Sequence, residues 1–452
     1  MECNNYFEKS EPINIFFKCA IPAMFSMMFM SLYTMIDGFF VGKFLGEDSL
    51  VAINLFMPII MISFALADMI AVGSSVQMAI KLGEKNEEDA SKIFSLSAMV
   101  ILIFSIIVGG MLLFFIKPIL QLMGAESKII SLAADCSRVY GFFSPLIVIF
   151  FAIDNYLRIC GRANYSMVAN IIVAILNIIL DYIFIVKLKL GISSVALATS
   201  ISLATGTIIC ITPFILNKLQ LHFVKPIFSF KIMKDIVING SSEFFSNISS
   251  SVFMIIINAI LLNLYGSTSV AVFSIIMYIE GVVSPMIYGI ADAMQPSISY
   301  NYGAKNMERV KRLEGTTLLG GFLFSIMILI FIQFNSENLI SIFVEKGNSY
   351  LLEMGIVAIK IYSLSYIARW APTICGSFFT ALNKPVISLV ITFANSIIFP
   401  LVAVTVLVPV IQLKGIWLSP FMSGVMGFLL CIALLFSIKR KGEFNSITLK
   451  KY

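Results

Sequence analysis

The sequence predicts an all-α integral membrane protein with twelve transmembrane helices in two six-helix lobes, and three observations carry that prediction. First, 59% of its 452 residues are hydrophobic and only 12% are charged, for a mean hydropathy of +0.98. A soluble core of this length cannot hide so much apolar surface, so the solvent is lipid. Second, apolar runs of about 20 residues, enough to cross roughly 30 Å of hydrocarbon, recur along the whole chain. Third, the stretch 46–88 is written again at 266–308 without a gap. Gly46 answers Gly266 and Gly83 answers Gly303, both at an interval of 220 (266 − 46 and 303 − 83), and Lys85, Asn86 and Glu88 answer Lys305, Asn306 and Glu308. Two homologous halves in a membrane point to a transporter.

The spans are expected at 14–36, 51–78, 93–117, 130–154, 164–186, 192–216, 236–262, 270–294, 314–334, 351–378, 385–409 and 415–438. Every amide inside lipid must be paired within its own segment, so these runs read as helices. The breaks carry turn chemistry. Gly42 and Gly46, Gly83, Pro118 with Gly124, Gly161, Gly191, Gly266, Gly303, Gly347, Asn383 with Pro385, and Gly415 fall between spans. The first span is too long for a cleaved signal peptide and no small-residue cleavage site follows it, so it is expected to remain as an anchor.

Basic residues fix the expected orientation. Lys81, Lys85 and Lys92, Arg158 and Arg162, the linker lysines, Lys305 through Arg312, Lys384, Lys439, Arg440, Lys441, Lys450 and Lys451 fall on one side of the membrane. The other side has few, Lys346 among them, a bias of about three to one that places both termini in the cytoplasm of a multi-pass protein of the inner (plasma) membrane. The net charge of +6 is thus a topology signal, and no nucleic-acid partner is needed to explain it. Six spans per half is an even number, so the halves are parallel repeats about an axis along the membrane normal. The expected organisation is a first lobe at 1–220, a cytoplasmic linker at 221–235, a second lobe at 236–440 and a cytoplasmic tail at 441–452. The stretch from Asn217 to Asp235 reads either as a short basic helix on the anionic inner surface or as a solvated loop.

Catalytic chemistry finds little to work with. The seven cysteines stand singly, without metal-ligand or redox spacing, and read as small apolar fillers. The one histidine, His222, sits in the linker. No metal site, cofactor or enzymatic activity is expected.

Ionisable groups at membrane depth are costly and therefore informative. In the first half they are Asp37 at the outer end of span one, Asp68, Asp135 with Arg138, Asp154 and Asp181. Asn177 precedes Asp181 by four residues, which puts amide and carboxylate on one helix face, able to share a cation or a proton. Asp135 and Arg138 read as an i, i+3 ion pair at the outer edge. The second half has Glu243, Glu280, Asp292, Glu353, Lys360 and Arg369. Glu280 and Lys360 are each about ten residues deep, near mid-membrane at 1.5 Å per residue, and are expected to pair. Glu243 and Arg369 lie deeper. These four form either a second-lobe charge network that only stabilises the lobe or one that serves substrate or coupling.

The same residues carry a resemblance. Tyr33-Thr34-Met35-Ile36-Asp37-Gly38-Phe39-Phe40-Val41-Gly42 resembles the first-helix signature of the multidrug and toxic compound extrusion (MATE) family. Asp154-Asn155, Arg158, Gly161-Arg162 and Leu176-Asn177-Ile178-Ile179-Leu180-Asp181-Tyr182 are similar to its fourth-to-fifth-helix stretch. Val195-Ala196-Leu197-Ala198-Thr199 resembles its sixth helix, and Gln295-Pro296-Ser297-Ile298-Ser299-Tyr300-Asn301-Tyr302-Gly303-Ala304 its turn after helix eight.

The resemblance, to the prokaryotic branch, implies an antiporter that expels small organic cations against an inward flow of protons or sodium ions, working as a monomer. It assigns ion coupling to Asp37, Asn177, Asp181 and Thr199, with Asp154 nearer the cytoplasmic end, and helix bending to Pro22. It departs in the second half: another branch uses a glutamate further along helix seven than Glu243, and Lys360 and Arg369 are basic in helix ten. The nearest alternative is a flippase for a lipid-linked saccharide, which needs a strongly basic cavity, whereas acids outnumber bases in these spans. In the expected mechanism, ionised Asp37 and Asp181 favour a bound cation, an ion entering from outside removes that attraction, and the lobes rock around the site.

Overall fold

A computed structural model describes residues 2–122, 124–226, 228–344 and 348–440. The tail 441–452, Lys346 and Gly347 lie outside them. Among the described residues there are twelve helices long and apolar enough to cross a membrane and no strands. They are α1 (Pro12–Leu45), α2 (Glu47–Gly83), α3 (Glu87–Phe114), α4 (Ser127–Ile159), α5 (Ala163–Lys187), α6 (Ser193–Ile215), α7 (Phe230–Tyr265), α8 (Ser267–Gly303), α9 (Met307–Ser341), α10 (Ser349–Ala381), α11 (Pro385–Ile411) and α12 (Leu413–Ser437). The chain is a multi-pass membrane protein.

Most helices outrun their apolar windows, because hydropathy stops at the first polar residues while backbone hydrogen bonding continues to the next turn. The largest corrections, nine residues each, are at the end of α8, which runs to Gly303 instead of 294, and at the end of α1. α1 continues past the expected end at 36, through Asp37, and finishes in a π-helical turn, Val41–Leu45. Gly46 at φ +83° then breaks it, a conformation that glycine adopts without steric cost.

The 220-residue repeat extends to backbone geometry. Gly46 and Gly266 share φ near +80° (83° and 80°), and Lys85 and Lys305 are both left-handed (61° and 59°). Between them α2 and α8 are each 37 residues long. Asn86 accepts from the Asp89 amide at 3.0 Å and Asn306 from the Arg309 amide at 3.1 Å, capping α3 and α9 in the same way.

The packing divides the chain into two compact units. Unit 1 takes the residues up to Lys9 and Phe25–Gly240, and unit 2 takes Ser10–Met24 and the chain from Ser241 onward. Two of the three divisions fall inside helices, in α1 just past Pro22 and in α7 at Gly240. Residues 10–24 therefore group with unit 2, and 221–240 with unit 1. The helix itself runs unbroken through Pro22.

Within unit 1, α4 packs on α2, α3 and α6. Small residues let backbones meet. A Cβ on Gly109 of α3 would stand 2.5 Å from the Gly141 carbonyl of α4, and one on Gly240 of α7 only 1.8 Å from the Met69 carbonyl of α2. Residues 221–226, 228 and 229 are non-helical and Phe230–Asp235 open α7, so the linker is neither a separate short helix nor a plainly solvated loop, with Leu221 fully buried. The linker lies on α3: Val224 donates its amide to Ser95 Oγ at 2.9 Å, and Phe223 packs on Phe94 with ring centroids 4.8 Å apart. Within unit 2, α8 packs on α9 and α10, and α11 on α12.

Candidate functional site

Three helices of unit 1 bring together four of the residues singled out in the sequence. Asp37 comes from α1, Asn177 and Asp181 from α5, and Thr199 from α6. Thr199 Oγ1 accepts from Asn177 Nδ2 at 3.3 Å, and its own proton is in reach of Asp37 Oδ2 at 3.4 Å and of the Val195 carbonyl at 3.1 Å. The Asp37 and Asp181 carboxyls are neighbours. Asn177, Asp181 and Thr199 are buried. Both Asp181 oxygens, Asp37 Oδ1 and Asn177 Oδ1 have no hydrogen-bond donor among the described residues. Tyr33, one turn before Asp37, and Tyr140 of α4 flank the cluster. The sequence reading did not single out either tyrosine.

This is an oxygen-only donor set with two acids and, among the described residues, no basic side chain paired to it, the chemistry that receives a proton or a hard monovalent cation. An apolar layer adjoins it. Val41, Ile185 and Val195 form a buried apolar cluster, joined by Phe40, Leu45 and Ile53. Each of the three lies four residues, about one turn, from Asp37, Asp181 and Thr199 respectively. The helices widen here too: π-helical turns follow both acids, at Val41–Leu45 and at Tyr182–Lys187. Such turns recur at functional sites.

Asp154 stands apart. It is buried and fully engaged, by Arg158 Nη2 at 2.5 Å, Ser166 Oγ at 2.5 Å and Asn170 Nδ2 at 2.9 Å. Asn170 lies 11 residues before Asp181 on α5, so the two networks are separated by about 16 Å along that helix. Asp135 and Arg138 pair at 3.0 Å and are exposed.

In unit 2 the expected Glu280–Lys360 pair does not form. Arg369 Nη1 takes Glu280 Oε1 at 2.8 Å, with Tyr366 donating to Oε2 at 2.5 Å and Ser284 to Oε1. Lys360 is exposed, and its carbonyl accepts from Gln333 Nε2 at 2.8 Å. Depth fixes one coordinate and helical phase the other. Tyr362, Tyr366 and Arg369 share one face of α10, and Lys360, nine residues before Arg369, falls about half a turn away.

Glu243 borders a small cavity of about 30 Å³ with Asp292, Ser246, Tyr288 and Ser377. Gln295 donates to Asp292 at 3.1 Å and to Ser377 at 2.7 Å there. Glu314 of α9 escaped the sequence reading because it sits at a span boundary beside Lys311 and Arg312. It is buried, and neither of its carboxyl oxygens has a hydrogen-bond partner among the described residues.

A twelve-helix membrane protein with an internal repeat and buried acids in its first half belongs to the class of two-repeat carriers. The MatE family model matches twice, at residues 22–183 and again at 243–405, so that each half carries one copy. The chain belongs to the MatE family. It is 24% identical over 367 residues to the multidrug export protein MepA of Staphylococcus saprophyticus, with 80% of each chain covered, and 23% identical over 366 residues to MepA of Staphylococcus aureus, again with 80% of each. Among solved structures it is similar to a MATE transporter in complex with MaL6 (TM-score 0.91, 24% identity, 97% of this chain and 100% of that one). It is also similar to an outward-facing multidrug resistance MATE family transporter of the MOP superfamily (TM-score 0.89, 24% identity, 97% and 99%).

Proposed function

We propose that this protein is a multidrug efflux carrier that exchanges organic cations for inward-moving protons or sodium ions, by alternating access of a site that includes Asp37, Asn177, Asp181 and Thr199. Its relatives are named as multidrug export proteins, and the family membership supports the same activity here. The observation that carries the coupling is the meeting of two carboxyls whose buried oxygens lack a basic partner. Two adjacent carboxylates in a low-dielectric setting repel one another, so binding one positive ion between them is favourable, and that ion competes with a cationic substrate for the same charge. Asp154, already neutralised by Arg158, holds α4 to α5. The basic bias of one set of loops supports an inner-membrane protein with both termini in the cytoplasm.

The test is flux of a fluorescent organic cation from proteoliposomes under separate proton and sodium gradients. Export driven by one gradient and abolished by Asp37→Asn is the expected result. Export indifferent to both gradients overturns the coupling.

A further inference from the structure

Unit 1 also holds an open cavity of about 650 Å³ at the turn between α4 and α5, the chain just beyond α6 and the start of α3. Arg162 in its wall stands 19 residues (181 − 162), about 28 Å, before Asp181 along α5, so the cavity is separate from the acid cluster. α4 and α6 end alike there. Each closes on a left-handed residue, Gly161 at φ +71° and Asn217 at φ +52°. The next amide then reaches back five residues, from Arg162 to the Leu157 carbonyl and from Lys218 to the Pro213 carbonyl, both at 3.0 Å. The same closure thus sets a basic residue at the cavity twice. Arg162 and Lys218 are exposed, and neither enters an ion pair among the described residues.

Two further features favour an anion. α5 begins at this turn with no side chain capping its first amides, and a helix start carries partial positive charge. Gln220, in the same wall, has both amide atoms buried and without a hydrogen-bond partner among the described residues, a costly state that a bound acceptor relieves. The wall has one acid, Glu87, against the two bases, and His222 adds a ring nitrogen. We propose that this cavity binds a phosphate-bearing anion through the Arg162 guanidinium, the Lys218 ammonium and the Gln220 amide. The guanidinium fork matches two phosphate oxygens and the lysine supplies a point charge. Bridging Arg162 and Lys218, the anion ties the α4–α5 turn to the segment that leads on to α7. Two sources offer this chemistry, the headgroup of an acidic phospholipid and a free phosphate compound. The site does not depend on the efflux reading.

The test uses the purified, delipidated full chain in detergent. Fluorescence anisotropy follows phosphatidylglycerol labelled on its acyl chain, with phosphatidylcholine labelled in the same way as the uncharged control, and calorimetry follows inorganic pyrophosphate. Saturable binding of phosphatidylglycerol in preference to phosphatidylcholine assigns the lipid source, and saturable binding of pyrophosphate assigns the free one. Whichever probe binds should lose about tenfold in affinity in Arg162→Gln/Lys218→Gln, the lower end of what charge-assisted hydrogen bonds supply. Lys231→Gln/Lys234→Gln removes the same charge from two exposed positions at the start of α7 and should leave affinity unchanged. Gln220→Leu keeps both bases and should weaken binding several-fold, which reads the built site even where the charge variant fails to fold.

Equal binding of the two lipids together with no uptake of pyrophosphate overturns the proposal. An equal loss in Lys231→Gln/Lys234→Gln does so too, since the attraction would then be diffuse surface charge. Wild-type affinity in Gln220→Leu overturns it as well. None of these outcomes bears on export, which gradient-driven flux in vesicles decides separately.

Discussion

Asp37 and Thr199 stand 162 positions apart in the chain, and their side chains meet at 3.4 Å, Oγ1 to Oδ2. The hydroxyl also accepts from Asn177, so one threonine ties α1 to α5 and α6 at the level of the two acids. Removing a charge there should differ from removing the tie.

Asp37→Asn and Asp181→Asn keep side-chain size and delete only the ionisable group. Each should abolish gradient-driven export in proteoliposomes at near-normal membrane yield, and Asp68→Asn should be milder. Thr199→Val deletes one hydrogen-bonding hydroxyl, worth about 1 kcal/mol, and should slow export by about fivefold without abolishing it. Wild-type flux in Asp37→Asn under a gradient would remove the coupling role.

Arg369→Met should cost about 3 kcal/mol of stability, because it leaves the Glu280 carboxylate in an apolar interior without its cation. The double change Glu280→Gln/Arg369→Met should cost less than that single change, whereas Lys360→Met, at an exposed position, should leave the melting temperature unchanged. Thermal melting in detergent reads all three. A destabilised Lys360→Met with a stable Arg369→Met would reinstate the pairing expected from depth alone.

Gly240→Ala should destabilise by about 3 kcal/mol, since backbone must shift where a Cβ would stand 1.8 Å from the Met69 carbonyl. Gly281→Ala, with nothing within 4 Å of its added Cβ, is the matched control and should be neutral. Equal membrane yield and melting temperature for the two variants would contradict the close approach of α2 and α7.

Orientation is checked by labelling single cysteines with a membrane-impermeant maleimide, in a background with Cys3 replaced by Ser. The six other cysteines are buried. Asp48→Cys, next to the Gly46 turn, should react in intact cells, and Lys85→Cys should react only after lysis. The reverse pattern inverts the topology.

The repeat and the number of spans were legible because each leaves a one-dimensional mark, a fixed interval and an apolar run, whereas the grouping of Asp37 and Thr199 with Asn177 and Asp181 rested on the family resemblance. Asn177 and Asp181 could be placed on one face from their spacing alone. Partners across helices could not, because they depend on rotation as well as depth. That is why Glu280 was matched with Lys360 when Arg369, Tyr362 and Tyr366 share the facing stripe. Helix ends were misjudged at Asp37 for a related reason: polarity marks where lipid ends, and the backbone there keeps its hydrogen bonds as far as Gly46. Tyr140 left no signal, since buried aromatics are ordinary in such a chain, and Tyr33 entered only as the first residue of the family-like motif around Asp37.

The paired glycines at 46 and 266, with φ of 83° and 80°, make the molecule its own reference. Alanine at either one meets the same backbone strain and, with no atom within 4 Å of the added carbon, the same empty space. Any disparity between Gly46→Ala and Gly266→Ala therefore reports how differently the two halves tolerate an identical insult, with strain cancelled out. Only the first of these turns borders the helix that carries Asp37, so a transport defect confined to Gly46→Ala would trace an inherited symmetry that duty has since broken.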